Sequence, residues 1–152
     1  MPAVAFRRAL SGDLGAIVAL LADDPIGSGR ESTGPLLDPC YAEAFAAIER
    51  DPNQLLAVAE RDGRVVGCLQ LSFIPGLTRR GLWRGQIEGV RIATDARGTG
   101  IGRAMLRWAI EECRNRGCGL VQLTSDKRRT EAHGFYEGLG FRATHQGYKL
   151  AL

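Results

Sequence analysis

The chain has 152 residues, of which 45% are hydrophobic and 24% charged, with a formal net charge of +3. That length supports one domain, 1–152, with a sizeable core, and the composition excludes a disordered polypeptide. The charge is too small, and the arginines too dispersed among too few aromatics, to argue nucleic-acid binding.

No apolar run approaches the ~20 residues of a membrane helix and no signal-peptide pattern opens the chain, so the expected compartment is the cytoplasm. Cys40, Cys68, Cys113 and Cys118 are scattered without metal-ligand spacing and read as free structural thiols, and no metal site is expected.

In chain order, residues 3–8 alternate as a first strand, and Ser11 offers an N-cap to a helix whose apolar stripe is Leu14, Ile17, Val18, Leu20 and Leu21. Residues 24–39 are rich in Pro, Gly and Ser and form the longest irregular segment, a candidate binding loop. Residues 40–50 read as a second helix. Strands over 55–60 and 65–73 meet at Arg61-Asp62-Gly63-Arg64, where Asp-Gly signals a hairpin.

After a connection carrying Arg79 and Arg80, residues 82–92 form the next strand and 100–116 the longest helix, stopped by Gly117. Residues 120–123 are a short apolar strand that suits burial on both faces, 131–139 a short helix, and 141–150 a last strand. The expected class is therefore mixed α/β, in the order β-α-α-β-β-β-α-β-α-β.

The stretch Gln86–Arg103, QIEGVRIATDARGTGIGR, is where strand gives way to helix. Gly98, Gly100 and Gly102 leave no Cβ to obstruct a ligand, and successive main-chain N–H groups there, backed by a helix start, make an anion site. A Rossmann loop wants G-x-G-x-x-G at the first strand of its sheet, and this is G-x-G-x-G after half the chain. A Walker A loop ends in Gly-Lys-Ser/Thr, and this turn ends in Gly-Arg-Ala.

Arg97-x-x-Gly100-x-Gly102 following Val90-x-Ile92 resembles the pyrophosphate-binding motif of the GNAT superfamily of N-acetyltransferases. Ala132-His133-Gly134-Phe135-Tyr136-Glu137-Gly138-Leu139-Gly140-Phe141 is similar to the family's A-x-x-F-Y-x-x-L-G-F segment. The resemblance implies a GNAT-like fold: a central, mixed but mostly antiparallel sheet flanked by helices and splayed at its central strands to admit acetyl-CoA as co-substrate. Val90, Arg91 and Ile92 are then expected along the pantetheine arm. Arg97, Gly98, Thr99, Gly100, Ile101, Gly102 and Arg103 are expected around the diphosphate, with Ser125, His133 and Tyr136 also against the coenzyme. The resemblance further implies a possible homodimer.

An amine of pKa ~10.4 is mostly protonated at pH 7, and freeing its lone pair costs roughly 4 kcal/mol. Glu88, two residues before Val90 and therefore on the same strand face by a period of two, is the expected general base, directly or through a water. The competing reading pairs its carboxylate with Arg91, Arg84 or Lys127. Tyr136 matches the family's Phe-Tyr position, which implies a general acid for the departing thiolate; otherwise it is a core ring beside Phe135 and Phe141. His133 contacts coenzyme or acceptor, or only caps its helix. No Ser-His-Asp or Cys-His spacing supports an acyl-enzyme, which favours direct transfer in a ternary complex.

Residues 123–136, the ending Tyr148-Lys149-Leu150-Ala151-Leu152, and Trp83-x-Gly85-x-Ile87-Glu88 are similar to aminoalkylphosphonate N-acetyltransferases. That implies a small primary amine with an anionic tail, for which Arg79, Arg80, Lys127, Arg128 and Arg129 are candidate counter-charges; they equally suit a solvated face or the coenzyme's 3′-phosphate. A diamine, an aminoglycoside, or a protein N-terminus or lysine stays open as acceptor. So does a non-catalytic acyl-CoA sensor or scaffold of the same fold, although Glu88 and Tyr136 favour an enzyme.

Overall fold

The computed structural model describes residues 3–152. Its strands β1 (Val4–Arg8), β2 (Gln54–Arg61), β3 (Arg64–Ile74), β4 (Arg84–Ile92) and β5 (Leu120–Leu123) form one sheet in the order β1-β2-β3-β4-β5. The first three pairings are antiparallel and β4–β5 is parallel, so the sheet is mixed as expected. Helices α1 (Leu14–Ala22) and α2 (Pro39–Arg50) precede β2, α3 (Ile101–Asn115) joins β4 to β5, and α4 (Thr130–Gly138) follows β5.

Local chemistry explains the joints. Asp62 and Gly63 both take positive φ, 55° and 74°, which matches the right-handed twist of the flanking strands and closes β2 onto β3. The Asp38 carboxylate accepts the Cys40 amide and Pro39 stands at the first helical position of α2. Ser11 does not cap α1; a turn of 3-10 helix over Ser11–Asp13 leads in, and Asp13 accepts the Leu10 amide while pairing with Arg7 of β1. Arg7 also reaches Glu60 of β2, so one guanidinium ties the edge of the sheet to the start of α1.

The core lies between the sheet and the stripe Ile101, Met105, Leu106, Ala109 and Cys113 of α3. Leu69, Leu71, Ile87, Met105 and Leu106 are fully buried, each contributing about 1.5–3 kcal/mol of transfer free energy. A Cβ at Gly85 would stand 2.3 Å from the Cys113 sulfur, so glycine lets the helix seat directly on β4. On the opposite face α1 contributes Leu14, Ile17, Val18 and Leu20, and α2 contributes Phe45.

Two expectations about elements are corrected. The connection before β4 is a tight turn, in which Arg79 and Arg80 adopt left-handed φ of 54° and 62°, and the strand starts at Arg84. Residues 142–152 form no strand: among the described residues their main chain makes no main-chain hydrogen bonds, and Tyr148, Leu150 and Leu152 are exposed. The edge strand β5, whose next residue Thr124 a Cβ at Gly147 would approach at 3.9 Å, is only four residues long, and this segment does not pair with it.

Candidate active site

The glycine turn has the conformation its composition demands. Gly98 and Gly100 have φ of 75° and 87°, where a side chain is strained, and a Cβ at either would point into open space. Gly100 opens the 15-residue helix α3, whose first amides have no partner within the helix and carry the positive end of its dipole. The turn is braced by Thr99, whose hydroxyl donates to the Ala96 carbonyl, and by Arg97, whose Nε donates to the Ile92 carbonyl. Gly102 sits where a Cβ would touch Ile92 and Phe135, which brings the helix start, β4 and α4 together. A cleft of about 350 Å³ results, lined by Val90, Ile92, Ala96, Arg97, Gly98, Gly100, Gly102, Arg103 and Phe135.

Next to this cleft β4 and β5 part company. Their pairing covers only Arg84–Ile87 against Leu120–Leu123, so β4 from Glu88 onward has no partner on that side. There β4 also bulges: Cys68 pairs with Arg91 and Gln70 with Glu88, so three residues of β4 advance against two of β3, with Gly89 at a φ of 61°. The extra residue flips the alternation. Ile87, Val90 and Ile92 face α3, whereas Gln86, Glu88 and Arg91 face the α1 side. Glu88 therefore does not share a face with Val90, contrary to the period-of-two argument.

Glu88 is exposed and, among the described residues, has no hydrogen-bonding or ionic partner; Arg91 is engaged by Asp24 instead. Its face of the sheet is polar, with Gln122 donating to Gln86 and both Gln70 and Ser72 donating to Gln54.

Tyr136 packs edge-on against Phe135 at 5.4 Å and Phe141 at 6.0 Å. Burial raises the pKa of its hydroxyl, opposed by the positive charges of Arg91 and Arg129, so it is protonated at neutral pH. His133 holds the Asp126 carbonyl through Nε2, and Ile101 is buried in the core. Ser125 is half-buried in the segment after β5. Arg103 reaches the Gly138 carbonyl at the end of α4.

Burial pushes the Cys68 thiol up to about 12, and the Cys113 thiol likewise up to about 12, so neither is a ready thiolate. Among the described residues no three His, Cys, Asp or Glu side chains gather as a metal site, and no helix is long and apolar enough to cross a membrane.

The sequence model of the acetyltransferase (GNAT) family matches residues 14–141, which include the whole cleft. The chain belongs to the GNAT acetyltransferase family. It is 32% identical over 153 aligned residues to the aminoalkylphosphonate N-acetyltransferase of Salmonella typhimurium, spanning 100% of this chain and 94% of that one. It is 39% identical over 90 residues to the glucosamine 6-phosphate N-acetyltransferase of Trypanosoma brucei brucei, covering 59% of each. A crystal structure described as a transcriptional regulator from Bacillus halodurans C-125 superposes with a TM-score of 0.96 at 47% identity, covering 99% of this chain and 100% of that one.

The five-stranded sheet and flanking helices are thus those of a GNAT domain, as the motifs led one to expect. Of the residues expected around the coenzyme in this GNAT chain, Val90, Ile92, Arg97, Gly98, Gly100, Gly102 and Arg103 line one cleft, whereas Thr99, Ile101, Ser125, His133 and Tyr136 are not part of its lining and Arg91 points away from it. Among the basic candidates for an anionic tail, Arg128 is paired with Asp126 and Arg129 with Asp24. Arg79, Arg80 and Lys127 have no ionic partner among the described residues. Sequence reasoning missed Asp24, whose only signal was its place at the end of α1.

Proposed function

We propose that this chain is an acetyl-CoA-dependent N-acetyltransferase that acts on a primary amine of a small molecule by direct transfer in a ternary complex. The observation that carries the reading is the juxtaposition of the glycine turn with the gap between β4 and β5. Free amides at the start of α3, from Gly98 to Arg103, suit a diphosphate, and Val90 and Ile92, whose carbonyls accept from Arg91 and Arg97, offer an extended pantetheine arm the strand edge that β5 leaves open.

The thioester then lies where the sheet is open, accessible from both faces. Glu88, although on the far face from Val90, is the first residue beyond the last β4–β5 pair and stands at that opening. As general base it takes a proton from the acceptor ammonium, directly or through water; the amine nitrogen attacks the acetyl carbonyl carbon, gives its second proton to solvent, and the C–S bond breaks. The thiolate takes its proton from Tyr136, whose buried hydroxyl is neutral. Neutral buried thiols give no support to a cysteine acyl-enzyme.

The polar face around Glu88 suits a small hydrophilic acceptor. Two relatives named for amines bearing a phosphonate or a phosphate support an anionic tail, for which Arg79, Arg80 and Lys127 are the unengaged cations. We place the enzyme in the cytoplasm with a second copy of itself as partner. What supports the homodimer is the apolar residue set Tyr148, Leu150 and Leu152, exposed on a segment with unpaired main chain, together with the unpaired outer edge of β5.

The test is coenzyme A release from acetyl-CoA with aminoalkylphosphonates, polyamines, aminoglycosides and short peptides, with both substrates varied. Intersecting initial-rate lines with one amine class are expected. Parallel lines would refute direct transfer, and no release with any amine would refute the small-molecule enzyme.

A further inference from the structure

The second residue after α1, in the loop that leads to α2, gathers two cations from distant parts of the chain. The Asp24 carboxylate pairs with Arg91 Nε at 3.1 Å and with an Arg129 terminal nitrogen at 3.2 Å, and it accepts the Ile26 and Gly27 amides at 2.9 Å each. Its side chain is 9% exposed, and those of Arg91 and Arg129 are 14% and 25% exposed. A Cβ at Gly27 would stand 2.7 Å from an Asp24 oxygen and 2.0 Å from the Leu21 carbonyl oxygen, so the chain wraps closely around this carboxylate.

Each arginine comes from a site element: Arg91 lies between Val90 and Ile92 on the part of β4 that β5 leaves unpaired, and Arg129 immediately precedes α4, which carries Tyr136. Arg91 also donates to the Val90 carbonyl at 2.8 Å. Two guanidiniums against one carboxylate leave an excess positive charge at the opening of the sheet.

We propose that Asp24 is a positioning residue that holds Arg91 of β4 and Arg129 at the start of α4 as a paired cation, which stabilises the negative charge that passes to Tyr136 when the C–S bond breaks. The inference rests on the acetyl-transfer reading above. As the electron pair of the C–S bond moves to sulfur, sulfur takes the Tyr136 proton and leaves a tyrosinate. Two fixed guanidiniums stabilise that anion without reorganising at the moment of reaction. The tyrosinate is reprotonated from solvent after coenzyme A departs. Both arginines already favour ionisation of the Tyr136 hydroxyl against the effect of its burial.

A purely structural Asp24, latching the loop, would lower activity whether or not Tyr136 is present; a positioning Asp24 acts only through it. The experiment is a double-mutant cycle of Asp24→Asn and Tyr136→Phe, with kcat and KM for acetyl-CoA measured by coenzyme A release and the fold checked by circular dichroism. Asp24→Asn alone is expected to lower kcat roughly ten- to a hundredfold, within the range of one proton-transfer group, with KM for acetyl-CoA changed less than about twofold. In the Tyr136→Phe background it is expected to cost less than about twofold more. Arg129→Gln, a change at a less buried side chain, gives the same comparison if Asp24→Asn does not fold. Effects that multiply in the double variant would overturn the positioning role while leaving wild-type transfer intact. A wild type that releases no coenzyme A would instead overturn the transfer reading, and this inference with it.

Discussion

Glu88 stands on β4 and Tyr136 on α4, and substitution separates the tasks proposed for them. Glu88→Gln removes the proposed base and nothing else, since the side chain has no partner to lose among the described residues. Turnover is expected to fall about 10²- to 10⁴-fold with acetyl-CoA affinity unchanged, checked by steady-state kinetics beside calorimetry; turnover at the wild-type level would remove Glu88 from the mechanism. Tyr136→Phe keeps the ring against Phe135 and Phe141, so the melting temperature should hold while the chemical step slows. A lower melting temperature with normal turnover per folded molecule would make Tyr136 a packing residue. At this scale both residues could be singled out in the sequence, because each stands in a motif. The strand face of Glu88 was not, because one left-handed glycine, Gly89, breaks the alternation from which faces are read. Asp24 was invisible for another reason: it lies 67 positions from Arg91, and no local pattern announces that contact.

Elements fixed by short-range chemistry were the legible ones. The Asp62-Gly63 hairpin, the helix start at Gly100 and the apolar stripe of α3 each follow from neighbours within a few residues, and each is present. The segment 141–150 reads as a strand, but a strand exists only with a partner edge, and the folded chain pairs none with it. Ser11 lost the cap position to the 3-10 turn anchored by Asp13, whose partner Arg7 lies on β1. That joint is testable by pH. The hydrogen bond from Arg7 holds the Asp13 carboxyl below its ordinary value of 3.8. A depressed folded-state value means the pair's contribution is fully present above that ordinary value and is lost as pH falls through the folded-state one. Asp13→Asn should therefore cost roughly 1–3 kcal/mol at neutral pH, and the gap from wild type should narrow in acid. Urea unfolding across pH checks this; a gap that persists unchanged in acid would deny the charge a role.

For the whole molecule, the unpaired edge of β5 and the exposed segment 142–152 bear on assembly. Light scattering should give twice the chain mass, and removal of residues 142–152 should give a folded monomer. A full-length monomer, or a dimer that survives the deletion, would assign these residues another use. Beyond assembly, every proposed step requires acetyl-CoA to bind at the glycine turn. Calorimetry with acetyl-CoA on the wild type and on Gly100→Val tests it, because a Cβ at Gly100 meets no protein atom within 4 Å and would project into the space left for the ligand. The strain of a side chain at that φ, about 1–2 kcal/mol, is small beside the stability of a domain of this size. Saturable binding by the wild type and its loss in a folded Gly100→Val protein are the expected results. Equal binding by the two proteins, or none by the wild type, would contradict the assignment of the site.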